Sequence, residues 1–337
     1  MLNRIEIRNF GPLTDVHWDN LGSINLVLGA NGTGKTFLLK ALYCAVRMLE
    51  EYRRGDDQRT ASEILAEKLY WTFQPDKIGD LVTKGADTAL SFSSRFGNDE
   101  FSYSFGKDTT KQIMTLENQV APRSTNSIFL PAKEVLSLHR IIIKSREQDK
   151  SFGFDDTYLD LARALAQSPT RGKNFQEFAQ SREKLDDMLG GRAEYDEDSG
   201  RWHFKKGNQK FPIGVTAEGI KKIAILDTLL GNRYLDPHSI VFIDEPESAL
   251  HPTAISQFLD IVSALAERGI QFFLASHSYF VVKKLYLSAL ENNMSIPLIS
   301  AQDKEWRCFN LKDGMPDNPI IDESIRLYEQ ETELALR

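Results

Sequence analysis

Apolar and polar positions alternate at the start of the chain. Ile5, Ile7 and Phe10 are separated by polar residues, which predicts a strand of an antiparallel sheet, broken by Gly11-Pro12. Ile24 to Leu28 is a short apolar run between Gly22 and Gly29, the pattern of a buried strand. From Phe37 to about Tyr52 the apolar residues Leu38, Leu39, Leu42, Val46 and Leu49 recur at helical spacing. The periodicity weakens over residues 55–127, where Leu90 to Phe92 and Phe101 to Phe105 flank Gly97-Asn98-Asp99 as a hairpin. Ser127 to Leu130 is a further strand, stopped by Pro131. Residues 134–192 read as helical, with polar breaks near 148–153 and 169–172. A second hairpin follows, with turns at Asp198-Ser199-Gly200 and Lys206-Gly207-Asn208.

Beyond residue 213 the alternation is cleaner. Helix 217–230 leads to strand 240–243, helix 253–268 to strand 271–275, then helix 280–292. Strands alternating with helices of this length predict a parallel α/β sheet. The expected fold class is therefore α/β, a phosphate-loop core with an N-terminal antiparallel β-subdomain and a mainly helical insertion. The expected divisions are an N-terminal lobe (1–134), an insertion ending in a hairpin (135–212), a C-terminal lobe (213–300) and an acidic tail (301–337), whose last stretch from Ile320 reads as one or two helices.

Three strand ends carry chemistry. Gly29-Ala30-Asn31-Gly32-Thr33-Gly34-Lys35-Thr36 fits G-x-x-x-x-G-K-[ST], between a predicted strand and a predicted helix. Glycines let such a loop turn its N–H groups inward on phosphates, and the helix adds its positive end. Lys35 is assigned to the β- and γ-phosphates and the Thr36 hydroxyl to Mg²⁺, with Phe37 completing the binding segment. Ile240 to Ile243 ends in Asp244-Glu245, at the strand edge where open α/β sheets bind ligands. Asp244 is assigned to Mg²⁺ and Glu245 to the water that attacks the γ-phosphate. Phe272 to Ser276 ends in His277, whose imidazole can hydrogen-bond the γ-phosphate.

Composition narrows the class. With 337 residues and 41% hydrophobic content the chain can build a large core, so general disorder is excluded. Cys44 and Cys308 form no CxxC pair, which removes a zinc ribbon and suits a reducing compartment. The charged N-terminus is not a secretory signal and no run of 18 apolar residues occurs, so a cytoplasmic location is expected, with no membrane partner. The net charge of −7 does not indicate nucleic acid by bulk attraction, although local basic stretches such as Lys144 to Arg146 leave such contact open.

The order of these motifs resembles the ABC-type ATPase head of SMC, RecN and RecF proteins and of small ATPases of prokaryotic defence and abortive-infection systems. Gly29–Thr36 is similar to the Walker A loop, Ile240–Asp244 with Glu245 to Walker B and the catalytic glutamate, Pro246 to Pro252 to the D-loop, and His277 to the switch histidine. The likeness covers residues 1–50 and 213–290 and is weak between. It implies ATP and Mg²⁺ as cofactors, ATP hydrolysis with Glu245, Lys35 and His277 as catalytic residues, and a homodimer or higher even oligomer closed around ATP. It also implies a separate effector, a nuclease or toxin, controlled in anti-phage defence.

Two departures stand out. The signature loop is replaced by Val215-Thr216-Ala217-Glu218-Gly219-Ile220-Lys221-Lys222, which keeps Gly219 but lacks the serine, leaving Gly219 and Lys221 or Lys222 to face a partner's nucleotide. No glutamine stands at the Q-loop position; Lys133, Glu134 or Gln74 are the candidates. Two other readings remain: a RecF-like repair ATPase acting directly on DNA, and a nucleotide-gated scaffold with negligible turnover. The late acids Asp303, Glu305, Asp313 and Asp317 lack the pattern of a Toprim nuclease.

Overall fold

The computed structural model describes residues 1–168, 176–302 and 305–336. Strands β1 (Leu2–Phe10) and β2 (Leu13–Asp19) form a hairpin, followed by β3 (Ile24–Gly29), helix α1 (Lys35–Glu51) and helix α2 (Ala61–Phe73). Next come β4 (Leu90–Phe96), β5 (Asp99–Phe105), β6 (Thr115–Asn118) and β7 (Ile128–Leu130). The insertion holds α3 (His139–Ile143), a π-helical turn (Lys144–Gln148), α4 (Asp156–Leu165), α5 (Ala179–Leu189), β8 (Arg192–Asp196), β9 (Arg201–Lys206) and β10 (Gln209–Pro212). The chain then alternates α6 (Glu218–Gly231), β11 (Ile240–Asp244), α7 (Pro252–Glu267), β12 (Gln271–Ser276) and α8 (Tyr279–Glu291). It ends with β13 (Pro297–Gln302), β14 (Glu305–Asn310) and α9 (Pro319–Ala335).

Two main sheets organise the molecule. One is antiparallel, ordered β2-β1-β4-β5-β6; the other, ordered β14-β13-β3-β12-β11-β7, is parallel except for β14. The second is buried on both faces because successive side chains point to opposite sides. In β11, Ile240 and Phe242 join a core with α1, α2 and the antiparallel sheet, while Val241 and Ile243 join a core with α6, α7 and α8. The sheet draws on both expected lobes: β3 and β7 precede residue 135, whereas β11, β12 and β13 follow residue 239. This interleaving sets the three chemical strand ends side by side.

Several elements differ from the sequence reading. Helix α2 lies in the stretch whose periodicity is weak. Its signal was local: Thr60 and Glu63 form a reciprocal capping box at its start. Among the described residues the span 134–192 is less helical than expected, holding the short helices α3, α4 and α5. Its break at 169–172 lies outside the described residues. Residues 297–310, placed across the start of an acidic tail, form the paired strands β13 and β14; β13 is buried because it lies beside β3. The exposed C-terminal helix is single, and only Ile321 is buried along it.

Candidate functional site

The loop after β3 closes because Gly34 takes a left-handed backbone (φ +95°), a conformation L side chains resist, and caps α1. Its carbonyl accepts the Leu38 N–H at 2.9 Å, the first turn of the helix. The Lys35 ammonium folds onto the same loop, donating to the carbonyls of Gly29 (2.8 Å) and Ala30 (2.9 Å). Burial lowers its pKa, opposed by the charges of Asp244, Glu245 and Glu247. Thr33 donates its hydroxyl to the Ala30 carbonyl. Phe37 packs edge-on against Phe10 and close to Phe73, so its side chain belongs to the core beneath the loop and only its backbone is left for a ligand.

Asp244, at the end of β11, meets Thr36 across the sheet. The Thr36 hydroxyl lies 2.9 and 3.1 Å from the two carboxylate oxygens. Burial raises the Asp244 pKa against the opposing effect of that hydrogen bond. A hydroxyl and a buried carboxylate converging beside a phosphate-type loop fit Mg²⁺, which takes few protein oxygens and fills its octahedron with water and phosphate. Among the described residues no three His, Cys, Asp or Glu side chains gather into a metal cage.

Glu245 turns the chain out of the strand with φ +48°, a strained conformation for a residue with a side chain. Its N–H still reaches the Ala275 carbonyl at 2.9 Å, prolonging the ladder by one residue. Its carboxylate lies 3.5 Å from His277 Nδ1, and both side chains are part exposed. Thus the structure brings together Gly29–Thr36, Asp244, Glu245 and His277.

Gly219 lies apart from this group. It is the second residue of α6 and packs against the loop after β11; an added Cβ would stand 2.8 Å from the Ala249 carbonyl oxygen. Ala217, before it, offers no side-chain cap to the helix. The adjacent lysines separate. Lys221 donates to Ser137 and Glu218 and Lys222 to the Glu245 carbonyl; both are buried and tied within this chain, so neither faces outward as the sequence reading expected. Gln74 is tied to the insertion through Phe154 and Gly153. Lys133 and Glu134 instead line a cavity of ≈ 240 Å³ with Glu218, Lys222 and Ser248, beside the end of β11.

Sequence reading left Lys40 unmentioned and placed Glu247 only within the segment likened to the D-loop. Lys40, one turn beyond Thr36 on α1, is paired with Asp155 of the insertion at 2.6 Å. Glu247 accepts hydrogen bonds from the Ser276 hydroxyl and the His277 N–H. The Lys40 signal was available as helical spacing from Thr36; nothing in the sequence joins Glu247 to residues some thirty positions away.

Fold and site together define an α/β domain of the SMC-head fold with a phosphate-type loop. The family model described as "AAA domain, putative AbiEii toxin, Type IV TA system" matches residues 24–283, and the chain belongs to that family. The fold is similar to that of an SMC head solved bound to the C-winged helix domain of ScpA (13% identity, 92% of this chain and 97% of that one, TM-score 0.54). It is also similar to an Smc head with an extended coiled coil, bound to the C-terminal domain of ScpA derived from Pyrococcus furiosus (11% identity, 98% and 99% coverage, TM-score 0.51). No curated sequence relative matches the chain.

Proposed function

We propose that this chain binds Mg-ATP at Gly29–Thr36 and Asp244, hydrolyses it, and passes the resulting shape change to a partner protein. The observation that carries this reading is the convergence of the Thr36–Asp244 pair (2.9 Å) with the Glu245–His277 pair (3.5 Å) at neighbouring strand ends. Lys35 is held at the loop by neutral carbonyls only, so phosphate oxygens are its better acceptors. Glu245 has a part-exposed carboxylate able to orient a water and take its proton, and His277 beside it offers its outer nitrogen to the terminal phosphate. Bound Mg²⁺ supplies charge neutralisation on the phosphates.

In a head-to-tail dimer the start of α6, seated through Gly219 on the Ala249 loop of its own chain, faces the partner's nucleotide. ATP drives closure of such a dimer only as far as it binds the closed state more tightly. Two of the similar SMC heads were solved bound to ScpA domains, which supports action through a partner. Membership of a family that includes a putative AbiEii toxin of type IV toxin–antitoxin systems supports a toxin-type output, which we assign to anti-phage defence. Ala217, uncapped and without a hydroxyl, favours slow turnover and keeps the nucleotide-gated scaffold as the second reading.

The test is ATP hydrolysis by the wild type beside Glu245→Gln, with oligomeric state recorded with and without Mg-ATP. We expect turnover in the wild type, and in the variant a loss of about 10²-fold or more together with an ATP-dependent dimer. ATP-dependent assembly without turnover in either protein selects the scaffold. Absence of ATP binding in both overturns the proposal.

A further inference from the structure

The turn after β11 carries a third carboxylate, and its bonds run sideways to the next strand. Glu247 Oε1 accepts the Ser276 hydroxyl at 2.8 Å and the His277 N–H at 3.3 Å, and lies 3.8 Å from His277 Nδ1. The fully buried Ser276 in turn accepts the Ser278 N–H at 3.0 Å. One carboxylate oxygen therefore ties the backbone on both sides of His277 to the segment that carries Glu245. The other oxygen, Oε2, is buried without a hydrogen-bond partner.

A buried carboxylate beside two others is an expensive way to fill space, since each disfavours the charge of its neighbours. Lys35 and Lys222 lie within electrostatic reach of all three and offset part of that cost. The imidazole of His277 is 42% exposed, with the Glu245 and Glu247 carboxylates as its ion-pair neighbours. Its position is thus set mostly through its backbone, and that backbone is held by Glu247.

We propose that Glu247 is a positioning residue: it staples the end of β12 to the turn after β11, so that His277 and Glu245 keep a fixed relation across the phosphate site. The proposal deepens the ATPase reading and rests on it for its catalytic part. The staple itself needs no nucleotide, which allows the two to be tested separately.

Glu247→Ala, Glu247→Asp and Glu247→Gln separate the alternatives. Glutamine keeps a carbonyl oxygen at the same reach and can still accept from Ser276 and His277. Aspartate keeps the charge but is one methylene short. Hydrogen exchange of the segment containing His277, without nucleotide, should speed up by about tenfold in the alanine and aspartate variants and stay near wild type in the glutamine variant. Steady-state ATP hydrolysis should follow the same order: kcat down about 10²-fold for alanine and aspartate, KM within about threefold, and near-complete rescue by glutamine.

Unchanged protection of His277 in both Glu247→Ala and Glu247→Asp overturns the staple. Loss of turnover in Glu247→Gln with protection intact also overturns it, because the charge would then act on the reaction directly. A wild type that binds ATP but does not turn it over defeats the hydrolysis reading, while the exchange arm still decides whether Glu247 holds the strand end. If Glu247→Ala fails to fold, Glu247→Asp carries the comparison.

Discussion

Lys222 holds its ammonium under the turn that carries Glu245, donating to that residue's carbonyl from a position only 8% exposed. Burial pushes its pKa down from 10.5 to about 8, and the charges of Glu247, Asp244 and Glu245 keep it from falling further. A base with a depressed folded-state pKa binds fewer protons folded than unfolded across that interval. Its stabilising share is therefore complete above pH 10.5 and is lost as pH falls through about 8. Lys222→Met removes this titration, together with the donor and the charge beside Glu245, so the stability of the variant relative to wild type should stand highest at neutral pH. Urea unfolding should show the variant's stability falling relative to wild type as pH rises from 8 towards 10.5, while ATP turnover stays reduced because the Glu245 carbonyl has lost its donor. A difference that is flat across this range would contradict the buried ammonium. The sequence made both lysines visible as candidates but gave no direction to either. Direction depends on how α6 meets the β11 turn, a contact between distant segments. The Gly29–Thr36 loop was legible because its spacing, its strand and its helix are all local.

At the scale of elements, the insertion is sewn to α1 by charge. Asp155, Asp156 and Asp160, at the start of α4 and within it, face Lys40, Tyr43 and Arg47 of α1 together with Lys68 of α2 and Arg146. Burial alone would raise the Asp160 pKa. The Lys68 and Arg47 charges, with hydrogen bonds from Tyr43 and Lys68, outweigh it and hold the group at about 2. Removing one partner from such a cluster strands the others. Lys68→Met should cost about 3–5 kcal/mol by leaving Asp156, Asp160 and Glu51 without their shared cation. Chemical denaturation measures this, and Arg326→Ala, at the exposed pair with Glu323, serves as a control that should leave stability unchanged.

Apolar positions in a sequence are read as packing surfaces, here Leu136, Leu138, Ile141 and Ile142 of the insertion. Leu136 and Ile142 are buried and Leu138 is packed against the core, but Ile141 is 56% exposed. The ionic seam was invisible to the same reading, because charged residues register as solvent-facing until the opposing element is known.

For the whole molecule, the decisive fact is the position of β3. It is paired on one side with β12 and on the other with β13, from the last part of the chain. Parallel α/β architecture was legible from alternating strands and helices, but strand order was not, since pairing partners leave no mark in local pattern. Deleting residues 294–337 should remove β13 and unpair Leu26 to Gly29 along one edge. We expect the truncated chain to lose both cooperative thermal unfolding and binding of a fluorescent ATP analogue. Retention of tight nucleotide binding would show that β13 is dispensable for the loop.

The same pairing has a consequence for how the protein is made. Gly29 meets Ala301, so the wall of the phosphate loop is synthesised long after the loop itself. At ribosomal speeds that interval is on the order of tens of seconds. Throughout it the apolar segment Ile24–Gly29, wholly buried at the end, has no partner on that side. Until residue 301 has been made, a growing chain therefore carries an unpaired apolar strand edge, an aggregation hazard, and a phosphate-type loop without its finished wall.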